Sequence, residues 1–125
     1  MTKHVALFID HSEARIFHVT PDKIDEATIK SPLHTHHAHH KGADGKDHSA
    51  GAKNFFNEVA RSLADSDEIL VVGPSTAKLE FIRHAHKHDP ALEPKIIGVE
   101  TVDHPTDGQI VAYAKKYFDR VDRMK

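Results

Sequence analysis

The sequence predicts an α/β fold, a mixed β-sheet with helices packed on it, and two observations carry that expectation. Residues 5–9, 69–72 and 95–99 (Val5-Ala-Leu-Phe-Ile9, Ile69-Leu-Val-Val72, Lys95-Ile-Ile-Gly-Val99) are short, largely apolar runs. Such runs are too short for helices and too apolar for exposed strands, so they read as strands buried on both faces. Between and after them, apolar residues recur at helical spacing instead. The stretch Glu68-Ile-Leu-Val-Val-Gly-Pro-Ser-Thr-Ala-Lys-Leu-Glu-Phe-Ile82 shows both patterns in turn: a β-branched run, a Gly-Pro turn, then a helix.

In chain order, residues 5–9 form the first strand. Asp10-His-Ser-Glu13 makes a turn, because Asp and Ser satisfy nearby backbone groups with their own side chains. Residues 14–19 (Ala-Arg-Ile-Phe-His-Val) are β-rich but mixed, as in a strand with one wetter face. Thr20-Pro-Asp-Lys23 sets Pro where a type I turn wants its fixed φ. A weaker strand at 24–30 follows, with Ile24 and Ile29 as its large apolar residues, completing an antiparallel meander.

From Ser31 to Gly51 the apolar pattern stops and a long loop is expected, functional or disordered at that length. Phe55, Phe56, Val59, Ala60 and Leu63 then line one face of a helix over about 52–64. The strand at 69–72 leads into a helix from about 75 to 88, capped by Ser75 or Thr76, with Leu79, Ile82 and Ala85 turned inward. Pro90 and Pro94 end it and lead to the third buried strand at 95–99. Thr106-Asp-Gly-Gln109 has the form of a capping box. It opens a last helix with Ile110, Ala114, Tyr117, Phe118 and Val121 on one face. The order βββαβαβα is the ribonuclease H-like layout, expected here as a single domain over 1–125.

Composition excludes several classes. There is no Cys, which removes disulfides and thiolate metal sites and makes the cytoplasm the expected compartment. The first apolar run is too short for a signal peptide, and nothing approaches the ~20 apolar residues of a membrane span. A net charge of −2 argues against a general nucleic-acid coat. The count that stands out is 13 histidines, which would make the surface more basic on mild acidification.

The segments VALFIDHSEARIFHV, EILVVGPSTAKLEFI and VETVDHPTDGQIVAYAKKYF, with a basic loop between the first two, resemble a known group. These are small bacterial "translational machinery" proteins. They are similar to the central domain of archaeal and eukaryotic class-1 release factors and of Pelota, the stalled-ribosome rescue factor. The same outline also resembles bacterial host-attachment proteins. The sharpest parts of the likeness are GPSTAKLEF and DHPTDGQ. In release factors the loop before the first helix carries the Gly-Gly-Gln that promotes peptide release. Here that position holds His40-Lys-Gly-Ala-Asp-Gly-Lys-Asp-His48, with separated glycines and no Gln, and Gly108-Gln109 belongs to the last helix start. Pelota lacks the motif too. The resemblance therefore implies a non-catalytic module contacting the ribosome or structured RNA, without the codon-reading and partner-binding domains that flank it in those relatives. Neither membrane nor DNA is expected as a partner, and a homodimer is left open.

That resemblance makes the loop the first candidate site. Lys41, Lys46 and Lys53 offer phosphate contacts, His48 adds charge when protonated, and Gly42 and Gly45 permit close backbone approach. Arg83 and Lys87 would extend the same basic patch. The plainer account is a solvated loop of permissive composition. His34, His36, His37, His39 and His40 could instead hold zinc or another divalent transition metal, although no acidic residues are spaced to support them, so no cofactor is the first expectation. His84 and His88 have the spacing of a two-His metal pair, but cations at a helix C-terminus are explained by its dipole. Asp10 sits where ribonuclease H-like nucleases keep a metal-binding carboxylate. Such a site needs further converging acids, for which only Glu58 and Asp107 are in prospect, so Asp10 reads as a turn former. The Gly73-Pro74-Ser75 turn could hold an anion at a helix N-terminus, weakened because Pro74 lacks an N–H.

Overall fold

The computed structural model describes residues 3–20, 23–30, 45–74, 76–103 and 105–124. Five strands form one mixed sheet: β1 (His4–Ile9), β2 (Glu13–Val19), β3 (Ile24–Lys30), β4 (Glu68–Gly73) and β5 (Ile96–Thr101), in the order β3-β2-β1-β4-β5. The first three are antiparallel neighbours, while β1–β4 and β4–β5 are parallel. The helices are α1 (Gly45–Ser62), α2 (Ala77–His88) and α3 (Asp107–Met124), with a short 3-10 turn at Glu93–Lys95 before β5. This is the expected α/β, ribonuclease H-like order.

Strand periodicity divides the core. Val5, Leu7 and Ile9 of β1 and Ile69 and Val71 of β4 face α1 and α2 through Phe55, Phe56, Val59, Leu63 and Phe81. Ala6, Phe8, Leu70 and Val72 face the other way, onto Ile110, Ala114 and Phe118 of α3. Central strands covered on both faces must be apolar at every position, which is why β1 and β4 read as unbroken runs. Gly73 ends β4 against the end of β1. A Cβ there would fall inside 3.0 Å of the Ile9 carbonyl oxygen, so the strands can close up only over a glycine.

Four details differ from the sequence reading. α1 begins at Gly45, so the backbone of Gly45, Lys46 and His48 is helical rather than looped. The first two turns of α1 contain no large apolar residue, so the periodicity that announces a helix starts only at Phe55. β5 is an edge strand rather than a buried one: Val99 is 39% exposed, because β4 alone pairs with it among the described residues. Leu79 is exposed, and the buried stripe of α2 is Ala77, Lys78, Phe81 and Ala85. Leu79 is two residues from Phe81, about 200° around the helix. Thr76 occupies the N-cap without a capping bond, its hydroxyl donating to Glu80 Oε2 at 3.0 Å instead. Ser75 lies outside the described residues.

The Asp10 turn and the last cap follow expectation, while Pro21 and Asp22 of the expected type I turn lie outside the described residues. Asp10 Oδ1 accepts from Ser12 N (2.7 Å) and Glu13 N (2.9 Å). Thr20 Oγ1 accepts from Lys23 N at 3.0 Å. At the start of α3, Thr106 N donates to Gln109 Oε1 (2.9 Å) and Gln109 N to Thr106 Oγ1 (3.2 Å), a complete capping box.

Candidate functional site

The carboxyl ends of β1 and β4 meet at one edge of the sheet. β3 ends at this edge too, since Lys30 pairs with Glu13 at the start of β2. α1 reaches the opposite edge at its C-terminus, where Asp67 N donates to Lys3 O (2.9 Å), so Gly45 opens it near the carboxyl edge. The N-termini of α2 and α3 follow β4 and β5 and stand there as well. Open α/β sheets place ligands at this edge, because the loops and helix N-termini converge on it.

One network occupies the α3 side of this edge. Glu13, Arg15 and Phe17 alternate onto one face of β2, opposite Lys30, Thr28 and Glu26 of β3. Arg15 Nε donates to Glu13 Oε2 (2.7 Å), Nη1 donates to Asp107 Oδ1 (2.8 Å), and the guanidinium lies 5.1 Å from the centre of the Phe8 ring. Partial burial opposes the Arg15 charge, but the hydrogen bonds and charges of Glu13 and Asp107 outweigh it and raise its pKa. Side-chain hydrogen bonding toward Asp107, then burial, then the Asp107 charge push the Glu26 carboxyl above its ordinary range, against the pull of Arg15. A cleft of about 400 Å³ lies beside this pair, lined by Phe17, Ile24, Glu26, Asp107, Val111 and Lys115. Arg15 is taken up by two carboxylates and a ring, so its chemistry is to pin the start of α3 onto β2. Period-two alternation in β2 was a usable signal for Glu13 and Arg15. Nothing local announced that Asp107 and Glu26 would join them.

Across the same edge, His11 Nε2 is 3.3 Å from Glu80 Oε2, the carboxylate oxygen that also accepts from Thr76. A carboxylate at the start of α2 and the absent N–H of Pro74 leave little room for the anion site suggested by the Gly-Pro turn.

The sequence-predicted residues are spread out. His34, His36, His37, His39, His40, Lys41 and Gly42 lie outside the described residues. The backbone of Gly45, Lys46, His48 and Lys53 belongs to the first half of α1, toward the carboxyl edge. Arg83 and Lys87 are exposed on α2, but Lys87 is in its last turn, toward the opposite edge. The two ends of the predicted patch are thus separated along the helix axis. His84 hydrogen-bonds Asn57 Oδ1 (2.8 Å), tying α2 to α1, and its ring centre is 4.5 Å from that of His88. Asp10 is engaged in its turn, Asp107 is held by Arg15, and Glu58 is exposed on α1. No group of three His, Asp or Glu residues converges as a metal site among the described residues. No helix among the described residues is long and apolar enough to cross a membrane.

The fold defines a class, a small α/β domain with a mixed five-stranded sheet and three helices in the ribonuclease H-like order. No family model matches the chain. In sequence it is similar to the Pelota homolog of Methanocaldococcus jannaschii, 36% identical over 103 residues, covering 80% of this chain and 28% of the relative. In structure it resembles the Pelota protein of Thermoplasma acidophilum (TM-score 0.65, 22% identity, 91% of this chain and 32% of that one). It also resembles the archaeal translation termination factor aRF1 (TM-score 0.61, 16% identity, 98% of this chain and 39% of that one). The chain therefore has the fold of the central domain of Pelota and release factors, and it spans well under half the length of these proteins.

Proposed function

We propose that this chain is a non-catalytic factor that associates with the ribosome or with structured RNA, acting in ribosome rescue or stress. The observation that carries the reading is the similarity to Pelota, which extends over 80% of the chain in sequence. A translation termination factor shares the fold, while the Gly-Gly-Gln of release factors has no counterpart here. The geometry supports a role without catalysis: Asp10 and Asp107 are each committed to structural bonds. RNA contact would run through the segment around Lys41, Lys46 and His48 and along the start of α1.

The test is co-sedimentation of tag-free protein with ribosomes across a salt series. Pelleting should weaken as salt rises, because each phosphate contact releases counterions. Lys41→Ala, Lys46→Ala and His48→Ala combined should reduce it further. Pelleting unchanged by the triple substitution removes the loop from the reading, and no pelleting at any salt removes the reading itself. The rival is a metal- or pH-responsive binding protein, favoured by five histidines within residues 34–40. Metal analysis of tag-free protein decides it, a stoichiometric transition metal supporting the rival.

A further inference from the structure

Alongside the face of α3 that packs Ile110, Ala114 and Phe118 onto the sheet runs a stripe that the loop-centred reading does not use. Tyr113, Lys116, Tyr117 and Arg120 stand at i, i+3, i+4 and i+7, the spacing that lines up side chains along a helix. These are the chain's 2 tyrosines, and it contains no Trp. The two rings are 6.2 Å apart, and the Arg120 guanidinium lies 5.8 Å from the centre of Tyr117. Tyr117 is fixed from below: its hydroxyl donates to Ile97 O (3.3 Å) and fills the space over Gly98 that a Cβ would need. Tyr113 is held less tightly, 36% exposed and, among the described residues, one of the few large apolar or aromatic side chains open to solvent. Lys115, Lys116, Arg120 and Arg123 are exposed along the same helix. Of the acids nearby, Asp119 is paired with Arg123 (3.1 Å), and Glu100 of β5 approaches Tyr113.

A ring held open to solvent, flanked by cations one turn apart, suits a strand with both π-faces and phosphates. We infer that the Tyr113–Lys116–Tyr117–Arg120 stripe of α3 is a second RNA-contact surface, stacking unpaired bases on Tyr113 and meeting phosphates with Lys116 and Arg120. It lies across the sheet from α1 and α2. The inference rests on the proposed RNA association and names a surface and a single-stranded target for it.

The test uses the full chain and a short single-stranded oligouridylate, with the matching duplex as comparison. Stacking should quench the tyrosine emission, which in this chain arises from the stripe alone. Affinity, read by anisotropy of labelled RNA, should fall about tenfold for Tyr113→Leu and for Arg120→Gln, while Tyr113→Phe keeps it. Circular dichroism checks that each variant is folded, which exposed positions should allow. Unchanged affinity in Tyr113→Leu and Arg120→Gln, or equal binding of duplex and single strand, overturns the stripe. If those results come with normal salt-sensitive ribosome pelleting, the reading under Proposed function stands and only the stripe fails. If the parent binds neither ribosomes nor RNA, both fail together.

Discussion

Replacing Gly73 by Ala tests whether the junction of β1 and β4 organises the fold. The added Cβ would fall inside 3.0 Å of the Ile9 carbonyl oxygen and 3.4 Å from its carbon. The obstructing atom is backbone in the central strand, so no side chain can swing away. Relief requires β1 and β4 to part near Phe8–Val72, at the end of their parallel ladder. Overpacking a core ordinarily costs about 1–3 kcal/mol, and a backbone clash between two buried strands belongs at the upper end. A loss of about 3 kcal/mol is a large share of the 5–15 kcal/mol that such folds possess. With a urea m-value of about 2 kcal/mol/M, the midpoint should fall by about 1.5 M at unchanged slope. Gly108→Ala is the internal control. The nearest atom to its Cβ is Thr106 Oγ1 at 4.0 Å, and an alanine in a helix should be neutral or stabilising by up to about 1 kcal/mol. A Gly73→Ala midpoint within 0.3 M of the parent, about 0.6 kcal/mol, would refute the reasoning about this junction.

Two further predictions concern the start of α3. Thr106→Ala should cost about 1 kcal/mol in the same urea titration by opening the capping box, while Thr106→Ser should recover most of it; equal loss in both would deny the hydroxyl its role. Glu26 has a raised folded-state pKa, so its stabilising protonated form is fully favourable below the ordinary carboxylate value of about 4.3 and the benefit is lost as pH rises through the folded value. Glu26→Gln should therefore be more stable than the parent at neutral pH, by about 0.5 kcal/mol given its exposure, with the difference vanishing below about pH 4. A constant difference from pH 4 to 7 would show that the carboxyl's charge is not the cause.

The capping box, the Asp10 turn and the buried strands β1 and β4 were legible because each rests on residues within a few positions of one another. Thr106 and Gln109 answer each other across one helical turn, and Asp10 reaches amides two and three residues on. The beginning of α1 was not legible, because a helix whose first turns are polar lacks the apolar period that marks it. Leu79 was misplaced for a related reason: spacing within a helix fixes which residues share a face, but not which face meets the sheet.

Element types and order, and with them the βββαβαβα class, were determined by local chemistry: apolar runs, helical spacing, Gly-Pro turns and caps. Contacts over long separations were decided by tertiary structure alone. Arg15 meets Asp107 across 92 positions because β2 and the start of α3 converge at one edge of the sheet. The rank of β5 as an edge strand and the exposure of Tyr113 follow from which neighbours the topology supplies. A sequence states what each side chain can do; burial and partners depend on where the rest of the chain arrives.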